Sequence, residues 1–472
     1  MKSELYHTLK NLLDKTRVLN SLEDRIASSY DASRLQHMPD VIVKPVTTKE
    51  VSDILKIAYT NEIPVYVRGA ASSVTGSAVP IKGGIVLDMV LMNRIIDINT
   101  VNLNAIVEPG VVVTDFQNEV EKRNLFYPPD PASADFCTIG GNIATGAGGL
   151  RCIKYGTTRD YVLGLEVVLS DGRVINTGKG TFKKVSGYDL TRLMVGSEGT
   201  LGIFTKITLR LIPKPPVDAV IIAFFDDHNK ALQFSITLLD KGILPRALEF
   251  VDDASLRAVQ KYKPEFQIPH NSKAMLLIEI DGYPADVEKQ AGEIQRYLNP
   301  AHNLMCGAIA IKMASDTTES KSLWALRKAI SAALYSITAQ KISEDICVPR
   351  QSIKEMLATI KNIESEYAIP TATFGHLGDG NLHVNFLVST KEQESRLENA
   401  LDKLFSKVIE LDGTLSGEHG IGLSKARYFP LEWMPDEISL FKGIKHLFDP
   451  KNILNPGKIF STAETQSTPR NP

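Results

Sequence analysis

Two histidines flank a short glycine-rich segment in the C-terminal third of the chain. The segment spans residues 374–386 and reads FGHLGDGNLHVNF. If Asp379 and Gly380 form a two-residue turn, they are the residue types that best tolerate its positive φ angles. His376 would then lie directly opposite His383, with Cβ atoms about 5 Å apart on one face. Two imidazoles at this spacing can hold one metal ion. A histidine is more often structural than a ligand, so the hairpin alone leaves both roles open.

Three glycine-rich stretches form a second group of candidate binding residues. Small side chains allow backbone N–H groups to surround an anion such as a diphosphate, and neighbouring hydroxyls add donors. Any one stretch could be a tight turn, but three together favour a ligand site. None matches the Rossmann or Walker pattern. The stretches are RGAASSVTGSAVP (68–80), CTIGGNIATGAGG (137–149) and VGSEGTLGI (195–203).

The surrounding sequence predicts an α+β protein with more than one domain. A chain of 472 residues corresponds to roughly three domain-sized units. A capping box at Thr47 and Glu50 predicts a helix, and the run PVYVRG after it predicts the strand that leads into the first glycine-rich stretch. Residues 212–216 are predicted to be a linker. Beyond it, strand-like runs (AVIIAFF, AMLLIEI, CGAIAIKM) alternate with amphipathic helices such as residues 320–337.

Composition excludes several classes of protein. A net charge of −2 argues against nucleic acid as the main partner. Four scattered cysteines (Cys137, Cys152, Cys306 and Cys347) without a CxxC pair argue against disulfides, a zinc ribbon and an iron–sulfur cluster, and they fit a reducing compartment. The N-terminus has no apolar signal region, and no apolar run approaches the roughly 18 residues of a membrane span. We therefore expect a cytoplasmic protein, with peripheral membrane association left open.

The ordered set of motifs resembles that of the FAD-linked 2-hydroxyacid dehydrogenases. This family includes the glycolate oxidase flavin subunit, D-lactate dehydrogenase and D-2-hydroxyglutarate dehydrogenase, within the vanillyl-alcohol-oxidase-like flavoproteins. The resemblance covers residues 38–460 and implies an α+β fold: an FAD-binding domain, an α+β substrate (cap) domain and a C-terminal helical segment that returns to the flavin. The motifs are RGAASSVTGSAVP, PPDPASADFCTIGGNIATGAGG, KYG, VGSEGTLGI, GHLGDGNLHVN, SGEHGIG and NPGK.

The resemblance also assigns the cofactor-binding residues and the domain boundaries. It implies noncovalent FAD, since the diphosphate loop contains no histidine or cysteine. Small residues replace the more usual Gly at Ala71 and Ser73, and Gly146 stands where Asn is common. The implied domains are an N-terminal helical segment (1–37), the FAD-binding domain (38–216), the cap domain with the metal site (217–424) and the C-terminal segment (425–472). The implied FAD-binding residues are Arg68, Gly69, Ala70, Ala71, Ser72, Ser73, Gly76, Pro131, Ala132, Ser133, Thr138, Gly140, Gly141, Asn142, Gly148, Gly149, Glu198, Gly199, Ile203 and Asn455.

The segment SGEHGIG (416–422) completes the expected catalytic site. Glu418 would join the two histidines in a set with open positions, which suits catalytic zinc and also iron or manganese. A metal lowers the pKa of a bound substrate hydroxyl. His419, whose side chain has a pKa of about 6.5 when unperturbed, would then accept the proton as general base while Cα transfers a hydride to flavin N5.

Further positions bear on the substrate. Arg327 matches the family's carboxylate-binding arginine, although most helix arginines are simply exposed. Ser331 lies one helical turn later, and Asn385 shares a strand face with His383. Relatives that oxidise the longer dicarboxylate carry a lysine where this chain aligns Ser343, with Lys341 two residues away. We therefore expect D-lactate or glycolate as substrate rather than D-2-hydroxyglutarate.

The expected partners follow from the same family. Electrons would pass to a quinone, an electron-transfer flavoprotein or a separate iron–sulfur subunit, and the protein could form a homodimer. Two other functions remain open at this point. One is a different alcohol oxidase of the flavin superfamily, such as an aldonolactone oxidase. The other is a non-catalytic, FAD-carrying subunit of a larger complex.

Overall fold

The structure is a computed structural model that describes residues 2–301 and 306–460. The polar tail after Phe460 lies outside the described residues, as does that part of the predicted C-terminal segment. Short 3-10 helices occur at Lys15–Arg17, Met89–Leu91, Thr158–Tyr161 and Arg350–Ser352. The α-helices are α1 (Lys2–Leu12), α2 (Leu22–Ala27), α3 (Thr48–Thr60), α4 (Val113–Glu121), α5 (Ile139–Thr145), α6 (Cys152–Tyr155), α7 (Leu190–Met194), α8 (His228–Asp240), α9 (Asp253–Tyr262), α10 (Pro284–Leu298), α11 (Thr317–Tyr335), α12 (Ile353–Tyr367), α13 (Lys391–Glu410), α14 (Phe429–Glu432) and α15 (Pro435–Phe448).

The strands belong to four sheets and two compact units. The first unit comprises residues 1–149, 157–214 and 418–472. The second unit comprises residues 150–156 and 215–417. The strands are β1 (Val18–Leu19), β2 (Val41–Val43), β3 (Val65–Arg68), β4 (Ile85–Asp88), β5 (Ile95–Asn99), β6 (Asn104–Val107), β7 (Leu125–Phe126), β8 (Val162–Val168), β9 (Val174–Asn176), β10 (Ile203–Arg210), β11 (Ile212–Pro213), β12 (Val217–Phe225), β13 (Ala247–Asp252), β14 (Ala274–Gly282), β15 (Ala310–Met313), β16 (Gln340–Cys347), β17 (Thr371–His376) and β18 (Asn381–Val388).

The first unit contains a four-stranded sheet in the order β1-β2-β4-β3, in which β4 pairs in parallel with β2 and β3. Helix α3 connects β2 to β3 and buries Val51, Ile54, Leu55 and Ala58 at helical spacing. Thr47 caps the helix by accepting the Glu50 N–H, as predicted. The Glu50 side chain does not complete the predicted box, because its carboxylate binds Arg17 and the Val46 N–H instead.

A five-stranded antiparallel sheet, β5-β6-β10-β8-β9, completes the strand framework of this unit together with the short β11-β7 pair. Along β8, buried and partly exposed positions alternate only weakly, and Leu165, Val167 and Val168 are buried. Gly178 and Gly164 approach so closely that a Cβ on Gly164 would lie 2.7 Å from the Gly178 carbonyl carbon.

The C-terminal segment joins the core of the first unit. Leu454 forms a parallel bridge with Val65, next to the first glycine-rich stretch. Asp449 is buried and accepts the N–H groups of Ile453 at 3.1 Å and Leu454 at 2.8 Å. Its carboxylate also binds Lys445. Burial lowers the pKa of Lys445, although the charge of Asp449 acts in the opposite direction. The turn after α15 is therefore held by one buried ion pair.

The second unit is built on a seven-stranded antiparallel sheet in the order β15-β12-β14-β13-β17-β18-β16. Helices cover both faces of β12. Val220, Ile222 and Phe224 pack in a core with residues of α9 and α11, whereas Phe225 on the other face contacts Phe234 of α8. Strands that are buried on both faces have continuous apolar sequences. The runs AVIIAFF and AMLLIEI, which predicted strands, lie in β12 and β14. Strand β13 was not among the predicted strands.

The hairpin that carries the two histidines has a longer turn than the sequence predicted. Strands β17 and β18 pair with His376 opposite Asn381 and His383 opposite Phe374. The turn therefore spans residues 377–380, and the predicted direct pairing of the histidines is wrong. Both side chains still lie on one face, because they are diagonal neighbours in the ladder.

Two further findings concern the chain as a whole. Among residues 2–301 and 306–460, no helix combines the length and apolar character needed to span a bilayer. The units change at residues 214 and 417, whereas the sequence placed boundaries at 216 and 424. The predicted four-part division stays a prediction.

The Asp449–Lys445 pair predicts a stability effect. Asp449→Asn is expected to lower the free energy of unfolding by about 3 kcal/mol, because it leaves a buried ammonium without its counter-charge. Urea denaturation followed by circular dichroism would measure the change. Asp436→Asn removes an exposed carboxylate from the first turn of the same helix and is expected to cost under about 1 kcal/mol. Equal losses in the two variants would contradict the role of the buried pair.

Candidate active site

The two hairpin histidines form the centre of the candidate site in the second unit. His376 and His383 are both buried, and their ring centroids lie 5.1 Å apart with the planes perpendicular. His376 Nδ1 lies 2.5 Å from Glu249 Oε1. A carboxylate partner holds the proton on Nδ1 and leaves Nε2 as the nitrogen that can coordinate a metal.

Glu418 is the third residue of the predicted metal set. Ligand atoms of His376, His383 and Glu418 all lie within 4.8 Å of one another. Four residues before Glu418, Thr414 forms an isolated antiparallel bridge with Cys347, the last residue of β16. Two imidazoles and one carboxylate at these distances fit a divalent metal ion with open coordination positions.

A second contact of Glu249 involves the predicted carboxylate-binding arginine. Glu249 Oε2 accepts a hydrogen bond from Arg327 Nε at 2.8 Å and forms an ion pair with Nη2 at 2.8 Å. The guanidinium carbon lies 4.5 Å from the centre of the Phe374 ring. Arg327 is therefore not on an exposed helix face. It points into the sheet beside the histidine hairpin, and its plane is held by an anion at one edge and an aromatic ring at one face.

The other predicted substrate-side residues lie near this arginine or in the hairpin. Ser331 follows Arg327 by one turn of α11, and its Oγ accepts a hydrogen bond from Lys341 Nζ at 2.8 Å. The amide nitrogen of Asn385 donates to the Ala372 and His383 carbonyl groups, at 3.0 and 3.1 Å. Its buried Oδ1 has no hydrogen-bond partner within the described part of the chain. Such an atom is available to a ligand.

His419 lies in the first unit on a loop that is held at several points. Its backbone oxygen accepts from Thr75 Oγ1 at 3.4 Å, and Nε2 lies 3.5 Å from Glu418 Oε1. After it, the Ile421 and Gly422 N–H groups both donate to the Glu198 carboxylate at 2.8 Å. Burial raises the pKa of Glu198, and the two N–H groups act in the opposite direction.

The predicted FAD-binding segments meet within the first unit. A Cβ on Gly69 would lie 2.3 Å from Thr138 Oγ1, so the first glycine-rich stretch touches the start of α5. The Glu198 N–H donates to Ala144 at the end of α5. Asn455 Nδ2 donates to the carbonyl groups of Ser77 and Glu198, at 3.0 and 2.6 Å. One asparagine from the C-terminal segment therefore joins two of the three loops.

Two of these segments contain non-glycine residues with positive φ angles, and one contains a glycine in close contact with the backbone of another loop. Ala71 and Glu198 adopt positive φ angles of 53° and 49°. A Cβ on Gly149 would lie 2.2 Å from the Asp130 oxygen, which brings Gly148 and Gly149 against the loop that contains Pro131, Ala132 and Ser133. The remaining predicted residues, Ala70, Ser72, Ser73, Gly76, Gly140, Gly141, Gly199 and Ile203, lie in the same three segments.

The arginine at the start of the first stretch has a structural contact. Arg68 Nη1 donates to the Tyr30 carbonyl at 2.8 Å and Nη2 to the Ala27 carbonyl at 3.3 Å. Its side chain thus holds the N-terminal segment, and its pKa is lowered by burial. Its predicted contact with a diphosphate stays a prediction.

The first unit has unsatisfied buried polar atoms where a large cofactor is expected. Asn142 Nδ2, Ser197 Oγ and Asn455 Oδ1 are buried without a hydrogen-bond partner among the described residues. Buried polar atoms are rarely left unpaired. Their position in three of the predicted segments fits the polar atoms of FAD.

Two functional candidates were missed from the sequence. Glu249 lies in ALEFVD, whose β-branched and aromatic residues are a weak strand signal. Lys458 belongs to the NPGK motif, but no role was assigned to it. It is buried, donates to the Val79 carbonyl at 2.5 Å, and has its pKa lowered to about 7 by burial despite the opposing charges of Asp31 and Glu198.

Comparisons with known proteins agree with these segments. Residues 39–178 match the family model described as an FAD binding domain, and residues 214–459 match FAD linked oxidases, C-terminal domain. The chain is 42% identical to the glycolate oxidase subunit GlcD of Bacillus subtilis (strain 168), over 93% of this chain and 92% of that protein. It is 36% identical to a D-lactate dehydrogenase of Anaerostipes hadrus, over 89% of each chain.

Solved structures show the same fold. p-Cresol methylhydroxylase with bound substrate superimposes with a TM-score of 0.79 at 20% identity, over 97% of each chain. This confirms the vanillyl-alcohol-oxidase-like fold that the motifs predicted. From the matched domains and relatives, we conclude that the chain belongs to the FAD-linked oxidase family and is an FAD-dependent oxidoreductase.

Proposed function

We propose that this enzyme oxidises a small D-2-hydroxy acid, D-lactate or glycolate, to the 2-oxo acid. The observation that carries the proposal is the cluster of the buried His376 and His383 with the partly buried Glu418, to which Arg327 is linked through Glu249. A metal site beside an oriented arginine suits a substrate with adjacent hydroxyl and carboxylate groups. The names of the two relatives, a glycolate oxidase subunit and a D-lactate dehydrogenase, support the same substrate class.

Each residue has a role in this proposal. His376, His383 and Glu418 would hold a divalent metal, zinc or alternatively iron or manganese, which when bound makes the substrate hydroxyl more acidic. Arg327 binds the substrate carboxylate with the guanidinium edge that Glu249 does not use. His419 Nε2 accepts the hydroxyl proton as general base.

FAD, when bound, would supply the two-electron oxidant that the conversion of a 2-hydroxy acid to the 2-oxo acid requires. The residues of the first unit hold the cofactor noncovalently, with Asn142, Ser197 and Asn455 offering the polar atoms described above. We propose that the electrons then pass to a quinone, an electron-transfer flavoprotein or a separate iron–sulfur subunit. The name of the Bacillus relative, a subunit, supports a partner chain.

A second substrate is favoured by one observation. Lys341 Nζ binds Ser331 Oγ at 2.8 Å, so a second cation contacts the residue that lies one helical turn from Arg327. Ser343, which aligns with the lysine of relatives that oxidise the dicarboxylate, follows Lys341 by two residues on β16. A second cation could bind the distal carboxylate of a dicarboxylate such as D-2-hydroxyglutarate.

Anaerobic visible spectra would identify the substrate. We expect D-lactate or glycolate to bleach the flavin band and L-lactate to leave it unchanged. Bleaching by D-2-hydroxyglutarate alone would favour the second substrate, and Lys341→Met should then raise its KM by about 10-fold or more, because a charge-assisted hydrogen bond is lost. If none of the four acids bleaches the band, the hydroxyacid assignment is wrong.

His419→Gln tests the general base. The variant is expected to keep FAD but to reduce the rate of flavin bleaching by about 10²- to 10⁴-fold, because no group accepts the hydroxyl proton. Stopped-flow absorbance measures the rate, and the flavin-to-protein ratio controls for cofactor loss. His446→Gln changes an exposed histidine of α15 in the same unit and should be silent. An unchanged bleaching rate in His419→Gln would remove His419 from the mechanism.

Metal removal tests the cluster. Dialysis against a chelator is expected to abolish turnover while the flavin spectrum is retained, because none of the three ligands belongs to a predicted FAD-binding segment. Adding back Zn²⁺, Mn²⁺ or Fe²⁺ singly would then identify the ion that restores activity. Full turnover by a preparation with no metal in elemental analysis would exclude the metal role.

A further inference from the structure

We propose that Glu249 is a positioning residue that sets both the metal-binding tautomer of His376 and the orientation of Arg327. This inference rests on the proposed function, since it concerns the same metal and substrate groups. Glu249 was not among the residues predicted from the sequence. It would act through its two neighbours rather than by touching the reacting atoms.

The strand pairing places Glu249 in contact with both groups. In the β13–β17 ladder, Glu249 lies directly opposite His376. The side chain is 0% exposed, and each of its oxygens has a separate partner: Oε1 binds His376 Nδ1, and Oε2 binds Arg327. A buried carboxylate needs such partners, because an unpaired charge there costs several kcal/mol.

The contact with His376 determines which ring nitrogen carries the proton. An ionised carboxylate only accepts hydrogen bonds, so the nitrogen that faces it must be Nδ1–H. The lone pair of the neutral ring is then on Nε2. Partners of this kind fix the ring orientation of metal-binding histidines and raise the affinity for the metal.

The contact with Arg327 determines which edge of the guanidinium is left for substrate. Glu249 uses the edge formed by Nε and Nη2, and Phe374 lies under the plane at 4.5 Å from the guanidinium carbon. The second edge, formed by Nη1 and Nη2, remains for a substrate carboxylate. A planar fork that is already oriented loses less freedom when it binds.

A purely structural ion pair between Glu249 and Arg327 is the alternative. Glu249→Gln separates the two roles, because an amide has one accepting oxygen and one donating nitrogen. If the oxygen faces Arg327, the NH₂ group faces His376 Nδ1 and moves the ring proton to Nε2. If the oxygen faces His376, the NH₂ group faces the cation. One of the two functions must therefore be lost, while the shape of the side chain is kept.

The experiment measures metal affinity and substrate kinetics separately. Competition with a chromophoric chelator in the FAD-loaded protein measures the affinity for Zn²⁺. In Glu249→Gln this affinity is expected to fall by about 10- to 100-fold if the amide NH₂ group faces His376. If the NH₂ group faces Arg327 instead, KM for the bleaching acid is expected to rise by a similar factor, about 10- to 100-fold. Glu249→Asp, which keeps the charge, should recover part of either loss.

Asp252→Asn provides the matched control. Asp252 is a buried carboxylate on the same strand and the opposite face, and it accepts the Ser255 and Thr373 N–H groups. The control should leave Zn²⁺ affinity and KM unchanged. Unchanged affinity and KM in Glu249→Gln, with zinc bound normally by the wild type, would overturn the inference. If the wild type itself binds no zinc, manganese or iron, the metal part of the proposed function fails instead.

Discussion

The candidate site of the second unit depends on the contacts that the buried Glu249 carboxylate makes with His376 and Arg327. A charge with no exposure in the middle of a seven-stranded sheet is tolerated only with partners that satisfy both oxygens. The ladder brings His376 opposite it, and α11 brings Arg327 to it from the same face. The cost of burying the charge thus favours fixed orientations of a histidine and an arginine, which is the pre-organisation that the proposed substrate and metal binding would require.

A comparable constraint operates in the first unit, with backbone groups in place of a cation. Glu198 accepts two consecutive N–H groups from the loop after His419, and Asn455 bonds to the Ser77 and Glu198 carbonyl groups. Glu198 and Asn455 both adopt positive φ angles, 49° and 42°. Non-glycine residues adopt this conformation at a cost, so the surrounding bonds must hold it. The loop that carries His419 and the predicted cofactor segments are consequently positioned by the same side chains.

The hairpin illustrates how two side chains can share the predicted face although the predicted register is wrong. Asp379-Gly380 is a strong signal for a two-residue turn, yet the ladder places His383 opposite Phe374 and the turn spans residues 377–380. A shift of two positions keeps each side chain on its original face, whereas a shift of one would have separated the histidines. The two histidines remain neighbours because this depends on which face the side chains occupy rather than on direct pairing.

The sequence by itself determined the family and the α+β architecture, and it predicted the FAD-binding segments and the three candidate metal ligands. These depend on local features: small residues that let backbone approach an anion, apolar runs buried on both faces, and ordered motifs. Only the tertiary structure decided that Glu249 touches both His376 and Arg327, that Glu198 holds the His419 loop, and that Lys341 binds Ser331. Such pairs are far apart in sequence, and no local pattern reports which strands become neighbours or which buried charge meets which partner.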